Sequence, residues 1–402
     1  MNTADSPDGT PRPRRRFWRK LVVSLLSLVA LTLVSLLVRH HIRLVSAQRE
    51  LEETIAAISS VEPLVFPADL DAGRQPIADR ENSVLPIEVA ALCLPKDWPA
   101  KELTESVNRL SPVAALRTAD LRLLNTELGR AERAVRAIQQ LPDLPQGRFP
   151  IVWSADYVST GMGHFNHVRD ITTLQELEAL RQAEAGHTNS ALRNLRGAIN
   201  VGRSLNDEPT MISQLVRIAG QAKALRGLER ALAQGVADLS DIQKMRDLLE
   251  DEASQPLLQV AVRGERAGIH QVFVALENGD TTLNNLASGP VATGFDALEE
   301  RANQWLARPE IVRAHAYSLR YATRLLEVAR LPPEQWLDAT TQLDVDFANA
   351  PSLGRLLVAG LAKAPGACCR SQARLRCAIV ALAVEQYRMK LGTWPESLDR
   401  LC

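Results

Sequence analysis

The chain has 402 residues, 46% hydrophobic and 23% charged, a balance that excludes a disordered tail and leaves room for one large core or several small ones. Only 4% are aromatic, so that core must be filled by Leu, Ala, Val and Ile; Leu and Ala favour helices, and an all-α fold with little or no β-structure is the first expectation. The zero net charge conceals an asymmetry: through Arg43 eight basic groups face only Asp5 and Asp8, a balance of +6 that leaves −6 for the rest, and an acidic body lacks the basic surface that nucleic-acid phosphates demand.

Residues 1–20 read as a basic tail. From Leu21 to Val38 runs LVVSLLSLVALTLVSLLV, eighteen residues without a charge. At 1.5 Å per residue a helix of that length spans roughly 27 Å, close to the hydrocarbon thickness of a bilayer. Only a helix satisfies its own backbone there, so residues 21–38 are expected to form a single transmembrane helix with the lipid bilayer as its partner. Six basic residues precede it between Arg12 and Lys20, and the positive-inside rule then puts the N-terminus in the cytoplasm and the body outside it. The competing reading is a cleaved signal: Arg14-Arg15-Arg16-Phe17-Trp18 is similar to a twin-arginine signal, and Val45-Ser46-Ala47 to a cleavage site. Ser24, Ser27, Thr32 and Ser35 share one broad face, either for helix association or for bonds to carbonyls of the preceding turn.

Leu51, Ile55 and Ile58 continue a helical period over residues 43–60, and Pro63 and Pro67 end it. Six prolines between Glu62 and Pro99 predict an irregular connection, which completes a juxtamembrane region over 39–113. A helical domain over 114–278 is expected to open with an amphipathic segment at 114–140. A glycine- and proline-rich loop follows, with one strand-like piece at 149–153. Helices are then predicted at 164–185, 190–205, 210–234, 240–251 and 256–278, with Gly186, Pro209, Gly235 and Pro256 as boundary signals. A polar linker at 279–295 leads to a C-terminal helical subdomain, 296–402. Its helices are predicted at 296–306, 309–330, 333–343, 353–362 and 367–391. The last includes a run at 378–384 that is apolar all round and is expected to be central.

Few residues carry recognisable chemistry. Gly186, Ala191, Leu195 and Ala198 match half of a tetratricopeptide unit, but the 34-residue period does not recur, so a single helical hairpin is expected. His164 and His167, flanked by Asp156 and Asp170, form the most metal-like cluster; the alternative is a pair of histidines that cap or pack at a helix entry. Cys93, Cys368, Cys369, Cys377 and Cys402 are odd in number and form no paired knuckle, and a bridge between Cys377 and Cys402 is one open pairing. Hydrolase, phosphate-loop and dinucleotide motifs are absent from the sequence, so no catalytic residue and no cofactor is expected.

Near the C-terminus, Ala381-Leu382-Ala383-Val384-Glu385-Gln386-Tyr387-Arg388 is followed by Leu391-Gly392-Thr393-Trp394-Pro395-Glu396-Ser397-Leu398. Gly392 is expected to stop a helix, Pro395 to start a short one, and Trp394 with Leu398 to fold back on the long helix. This segment resembles part of a family of uncharacterised bacterial single-pass membrane proteins with helical extracytoplasmic regions. Three further stretches share the resemblance: Pro76-Ile77-Ala78-Asp79-Arg80-Glu81-Asn82, Glu208-Pro209-Thr210-Met211-Ile212-Ser213-Gln214-Leu215-Val216-Arg217, and Gly264-Glu265-Arg266-Ala267. Such proteins continue past the Trp-Pro element, which puts the completeness of the C-terminal subdomain in question. The Tyr-Arg then Gly-x-Trp-Pro shape also resembles type II secretion pseudopilins, although their processing site has no counterpart before Leu21.

Arg217 and Glu265, in two predicted helices, are expected to form a buried structural ion pair. The leading functional expectation is an anchored binding or scaffold protein of the bacterial envelope, with protein partners and an oligomeric state that the sequence leaves open. The alternatives are a metal-dependent envelope enzyme using His164 and His167, and a pseudopilin-like assembly subunit.

Overall fold

The computed structural model describes residues 14–288, 294–348 and 350–401. The fold is all-α: the only β contact among the described residues is an isolated parallel bridge between Asn82 and Gln146, so the predicted strand at 149–153 does not form. That stretch is held instead by its side chains, with Phe149 buried against the His164 ring.

Helix α1, Arg14–Ser59, is a single rod of 46 residues with no Gly or Pro to interrupt it, about 69 Å long at the α-helical rise. From Leu21 to Val38 every residue is exposed, and this part of α1 is long and apolar enough to cross a membrane. Packing starts at His40, whose ring stacks on Trp305 with centroids 4.2 Å apart. Beyond it Ala47, Leu51, Thr54 and Ile58 recur at helical spacing and are buried.

The predicted irregular connection after α1 is shorter than expected. It contains α2, Pro67–Ala72, and α3, Val84–Cys93, whose Val84, Ile87 and Ala90 are buried. Pro86 sits in the first turn of α3, where a missing N–H removes no helical bond. Next come α4, Lys101–Arg109, and α5, Thr118–Arg130; α6, Glu132–Ala137, follows after a break at Ala131. The predicted single segment at 114–140 is therefore two helices and a 3-10 turn.

Helices α7, His164–Glu184, and α8, Thr188–Arg203, form the expected hairpin. Gly186 turns the chain at φ +78°, a conformation that favours glycine, and Ala191, Leu195 and Ala198 are fully buried between the helices. Helices α9, Met211–Gln234, α10, Leu239–Ser254, and α11, Leu257–Asn278, match their predicted spans within a few residues. After α12, Leu283–Ser288, comes α13, Gly294–Ala329. It runs through Pro309 instead of stopping there. Then α14, Trp336–Ala348, precedes α15, Ser352–Leu391, which runs through Pro365. Each internal proline costs a helix roughly 3 kcal/mol. Both are buried in these helices, whose flanking turns pack on both sides of the proline: Ala307, Ile311 and Ala314 in α13, Leu361, Ala364 and Cys368 in α15.

Among the described residues the core lies in four clusters. One joins α3, α5 and α7; a second joins α11, α13, α14 and α15; a third joins α7 to α10 with α15; the smallest seals α1 on Val312, Ala316 and Leu319 of α13. The segment expected to separate two subdomains lies between α11 and α13, which share the second cluster; residues 289–293 of it are outside the described residues. The run at 378–384 is not central: only Leu382 is buried, and Val380 and Ala381 face outward. Being apolar all round did not bury it, because α15 there packs only on one side. Gly392 ends α15 at φ +74° as expected, and Trp394 lies over Arg388 at 5.3 Å. The fold-back is looser than predicted, with Trp394 and Leu398 both more than 60% exposed and the short turn starting at Leu398, not Pro395.

Candidate functional site

The residues of the segment from Glu208 to Arg217 converge at the start of α9, where they meet α7, α10 and α11. Thr210 caps α9, its hydroxyl accepting from the Ser213 N–H at 3.1 Å. The Glu208 carboxylate is fully buried. It accepts from the Ser213 hydroxyl at 2.5 Å and, through both oxygens, from His164 Nε2 at 3.1 Å. A carboxylate only accepts, so Nε2 carries the hydrogen. Gln214 donates to the backbone oxygens of Asn206 and Glu208, which pins the approach to the helix.

Ser213, Glu208 and His164 contain the residue types of a hydrolase triad in the wrong order. The serine donates to the carboxylate instead of the imidazole, so the serine–imidazole contact of a triad is not made, and all of Ser213 is buried away from substrate. The trio is a cross-brace between α7 and α9.

The expected ion pair between Arg217 and Glu265 does not form. Arg217 points toward α10 and makes two bonds of 2.6 Å to the two oxygens of Glu252, a bidentate pair with both side chains at 2% exposure or less. Gln221 also donates to Glu252 at 2.5 Å and accepts from Ser371 of α15, while Arg203 of α8 approaches Glu252 at 3.5 Å. Four helices are thereby joined through one buried carboxylate. Glu265 instead accepts from the Met211 N–H at 2.8 Å, at the start of α9, and from the Tyr157 hydroxyl at 3.4 Å. Burial pushes its carboxyl above the ordinary range, with those two donors acting in the opposite direction. A helical pattern places Arg217 and Glu265 on the right elements but not in rotational register, which is set by packing.

The rest of the Gly264-Glu265-Arg266-Ala267 stretch also has a structural meaning. A Cβ on Gly264 would lie 2.0 Å from the Pro209 carbonyl oxygen, so only glycine lets α11 approach the chain entering α9. Arg266 reaches Glu62 at 3.1 Å, beside Arg263 at 2.7 Å. In the stretch from Pro76 to Asn82, the Asn82 side chain accepts from the N–H groups of Val84 and Arg148, tying the start of α3 to a loop 66 residues away.

The predicted metal cluster is not brought together around one point. His164 bonds Glu208 while His167 Nδ1 meets Glu88 at 2.9 Å. Asp156 accepts from the hydroxyls of Ser154 and Ser159 within its own turn, and burial raises the Asp170 carboxyl, partly offset by His167. Among the described residues no group of three or more His, Cys, Asp or Glu is placed to hold a metal ion. Cys93, Cys368, Cys369 and Cys377 are free thiols; Cys402 lies outside the described residues. Burial pushes the Cys368 thiol up to about 12, so it is an unreactive core residue.

Sequence reasoning missed a histidine pair. His270 Nδ1 of α11 and His315 Nε2 of α13 are 3.0 Å apart, and His315 Nδ1 meets Glu277 at 2.8 Å. Phe66 stacks on His270 and Phe273 on His315. Burial, then the neighbouring His315, lowers His270 to about 4. Each histidine stands alone in its helix, so no local signal marks the pair.

Grooves open on the surface of the described residues, and two of them flank long helices. One, of about 410 Å³, runs between α1 and α13 and carries Glu50, Glu62, Arg320 and Arg330. The other, of about 850 Å³ and mostly apolar, lies between α9 and α15 and reaches Leu232, Ala381 and Trp394. No family model, curated protein or solved structure matches the chain.

Proposed function

We propose that this chain is a membrane-anchored, extracytoplasmic helical protein of the bacterial envelope that acts by binding or scaffolding. The observation that carries the reading is the division of α1: bare and apolar from Leu21 to Val38, then packed onto the body from His40 without a break in the helix. A span that continues as a core-forming helix holds the body at a set height and orientation, as a scaffold needs, whereas a flexible tether does neither. The basic cluster before Leu21 supports a cytoplasmic N-terminus. In the body Glu208, Arg217 and Glu252 are buried and spent on internal bonds, which favours a binding surface over a reactive centre as the functional part.

Alkaline extraction of membranes, combined with reporter fusions at either end, tests the anchor. The expected outcome is a protein retained in the membrane pellet with only the C-terminal reporter active outside the cytoplasm; release into the supernatant overturns the proposal. Affinity capture from detergent extracts after crosslinking tests the binding role, with a defined partner expected. Stoichiometric zinc in the purified protein, lost on His164→Ala, would overturn it in favour of an enzyme.

A further inference from the structure

We infer that the groove between α1 and α13 binds an organic carboxylate with an apolar body, its charged end held by Arg266 and Arg330. The site uses only the packed half of α1, so it goes beyond the proposed anchor and does not depend on it.

One end of the groove is out of charge balance. Just past α1, Glu62 is met by three guanidinium groups: Arg263 at 2.7 Å and Arg266 at 3.1 Å, both from α11, and Arg330 at 3.4 Å, just past α13. The other carboxylate at this end is Glu327, which lines the groove and makes no ion pair among the described residues. Beyond Arg263, Asp207 is held by Arg74 and Asp69 by the Phe66 N–H. Three positive charges thus face two negative ones, and a single further negative charge balances them. The opposite end needs none: Glu50 and Thr54 bond Arg320, Asp346 pairs with Arg324, and Glu53 adds a second acidic group beside Glu50.

Arg266 carries the argument further. Its side chain is 3% exposed and lines the groove, Glu62 is its ion-pair partner through Nη2, and its Nε and Nη1 make no hydrogen bond among the described residues. Burial lowers its pKa, Glu62 acts against that, and Arg263 and Arg330 add to the lowering. A buried guanidinium with donors to spare costs free energy, which a planar acceptor with two oxygens offsets through charge-assisted bonds. Beside it Ile58, Val61 and Leu326 line the groove with apolar surface, Val61 at 80% exposure. The volume of about 410 Å³ falls within the range of small-molecule sites, roughly 300–1,000 Å³. A doubly charged phosphate overshoots the balance, and an uncharged apolar molecule leaves Arg266 as it was. A monocarboxylate with a hydrocarbon body satisfies both the charge and the wall.

Equilibrium dialysis of radiolabelled octanoate against the full-length protein in nanodiscs, with empty discs as the blank, tests this at low ionic strength, where charge attraction is least screened. The expected result is saturable uptake above the blank, displaced by excess unlabelled octanoate and not by octanol. Arg330→Gln, at a half-exposed position, should weaken the uptake at least about threefold. Glu327→Gln, which removes an opposing charge, should tighten it, a gain that a purely structural role for these residues does not produce. Uptake no greater than the blank, equal displacement by octanol, or an unchanged affinity in either variant overturns the inference. Protein that stays soluble and enters no disc overturns the anchor instead, and the same dialysis on it then decides the carboxylate site.

Discussion

Between Leu21 and Val38 α1 exposes every side chain, Leu31 at 69%, whereas at the start of α9 the charged Arg217 is 2% exposed and Glu208 is fully buried. A protein surrounded by water on all sides sorts its residues the other way. The inversion has a separate cause at each place. At α9 every charge finds a partner of the right geometry, so the desolvation cost is offset by short bonds: Arg217 on Glu252, His164 and Ser213 on Glu208. At α1 the apolar surface is far larger than a soluble monomer leaves in water, and the proposed immersion in hydrocarbon would remove the penalty. Polar residues are buried where their bonds are complete, and on the proposed reading apolar ones are exposed where the medium is apolar.

The sharpest way to break that contrast is to leave one of the buried charges alone. Arg217→Ala strands Glu252 and is expected to cost about 3–5 kcal/mol, read as a large drop in the thermal midpoint of the detergent-solubilised protein. Replacing both partners, Arg217→Met with Glu252→Leu, should recover most of the loss, because the cost lies in the unpaired charge; an unchanged midpoint for the single variant would remove the Arg217–Glu252 pair from the stability account. Next in size is the reverse insult at the other region. Leu28→Arg puts a charge at the middle of the span at a cost of roughly 2.5–3.5 kcal/mol, so the fraction inserted should fall in a glycosylation or protease-protection assay. If the substituted helix inserts as before, the span is not centred where the uncharged run places it.

Gly264→Ala probes the close approach of α11 to the chain entering α9. The added methyl meets the Pro209 carbonyl, a backbone atom that can yield only if the chain shifts, and a cost of about 1–3 kcal/mol is expected in denaturant titration. The smallest effect is a pH dependence. His270 is lowered in the fold to about 4 from its ordinary 6.5, chiefly by burial, so the unfolded chain binds a proton first. Its contribution is fully present above pH 6.5 and is lost as the pH falls toward 4. His270→Gln should therefore flatten the decline of the thermal midpoint between pH 6.5 and 5, and a variant with an unaltered slope would argue against it.

What the sequence determined by itself was whatever depends on neighbours along the chain: the helical class, the uncharged run at 21–38, the hairpin turn at Gly186 and the stop at Gly392, since a period, a missing charge or a residue's backbone freedom acts within a few positions. Only tertiary structure decided that α13 and α15 run through Pro309 and Pro365, that Arg217 pairs with Glu252 and not Glu265, that His270 meets His315, and that Val380 faces outward. These depend on helix rotation and on what packs alongside, and such contacts are made by residues 35 to 270 positions apart, whose registry no local pattern encodes. The candidate site divides along the same line: the residues of the segment from Glu208 to Arg217 could be singled out one by one, but their joint role in bracing α7, α9 and α10 exists only once the helices have docked.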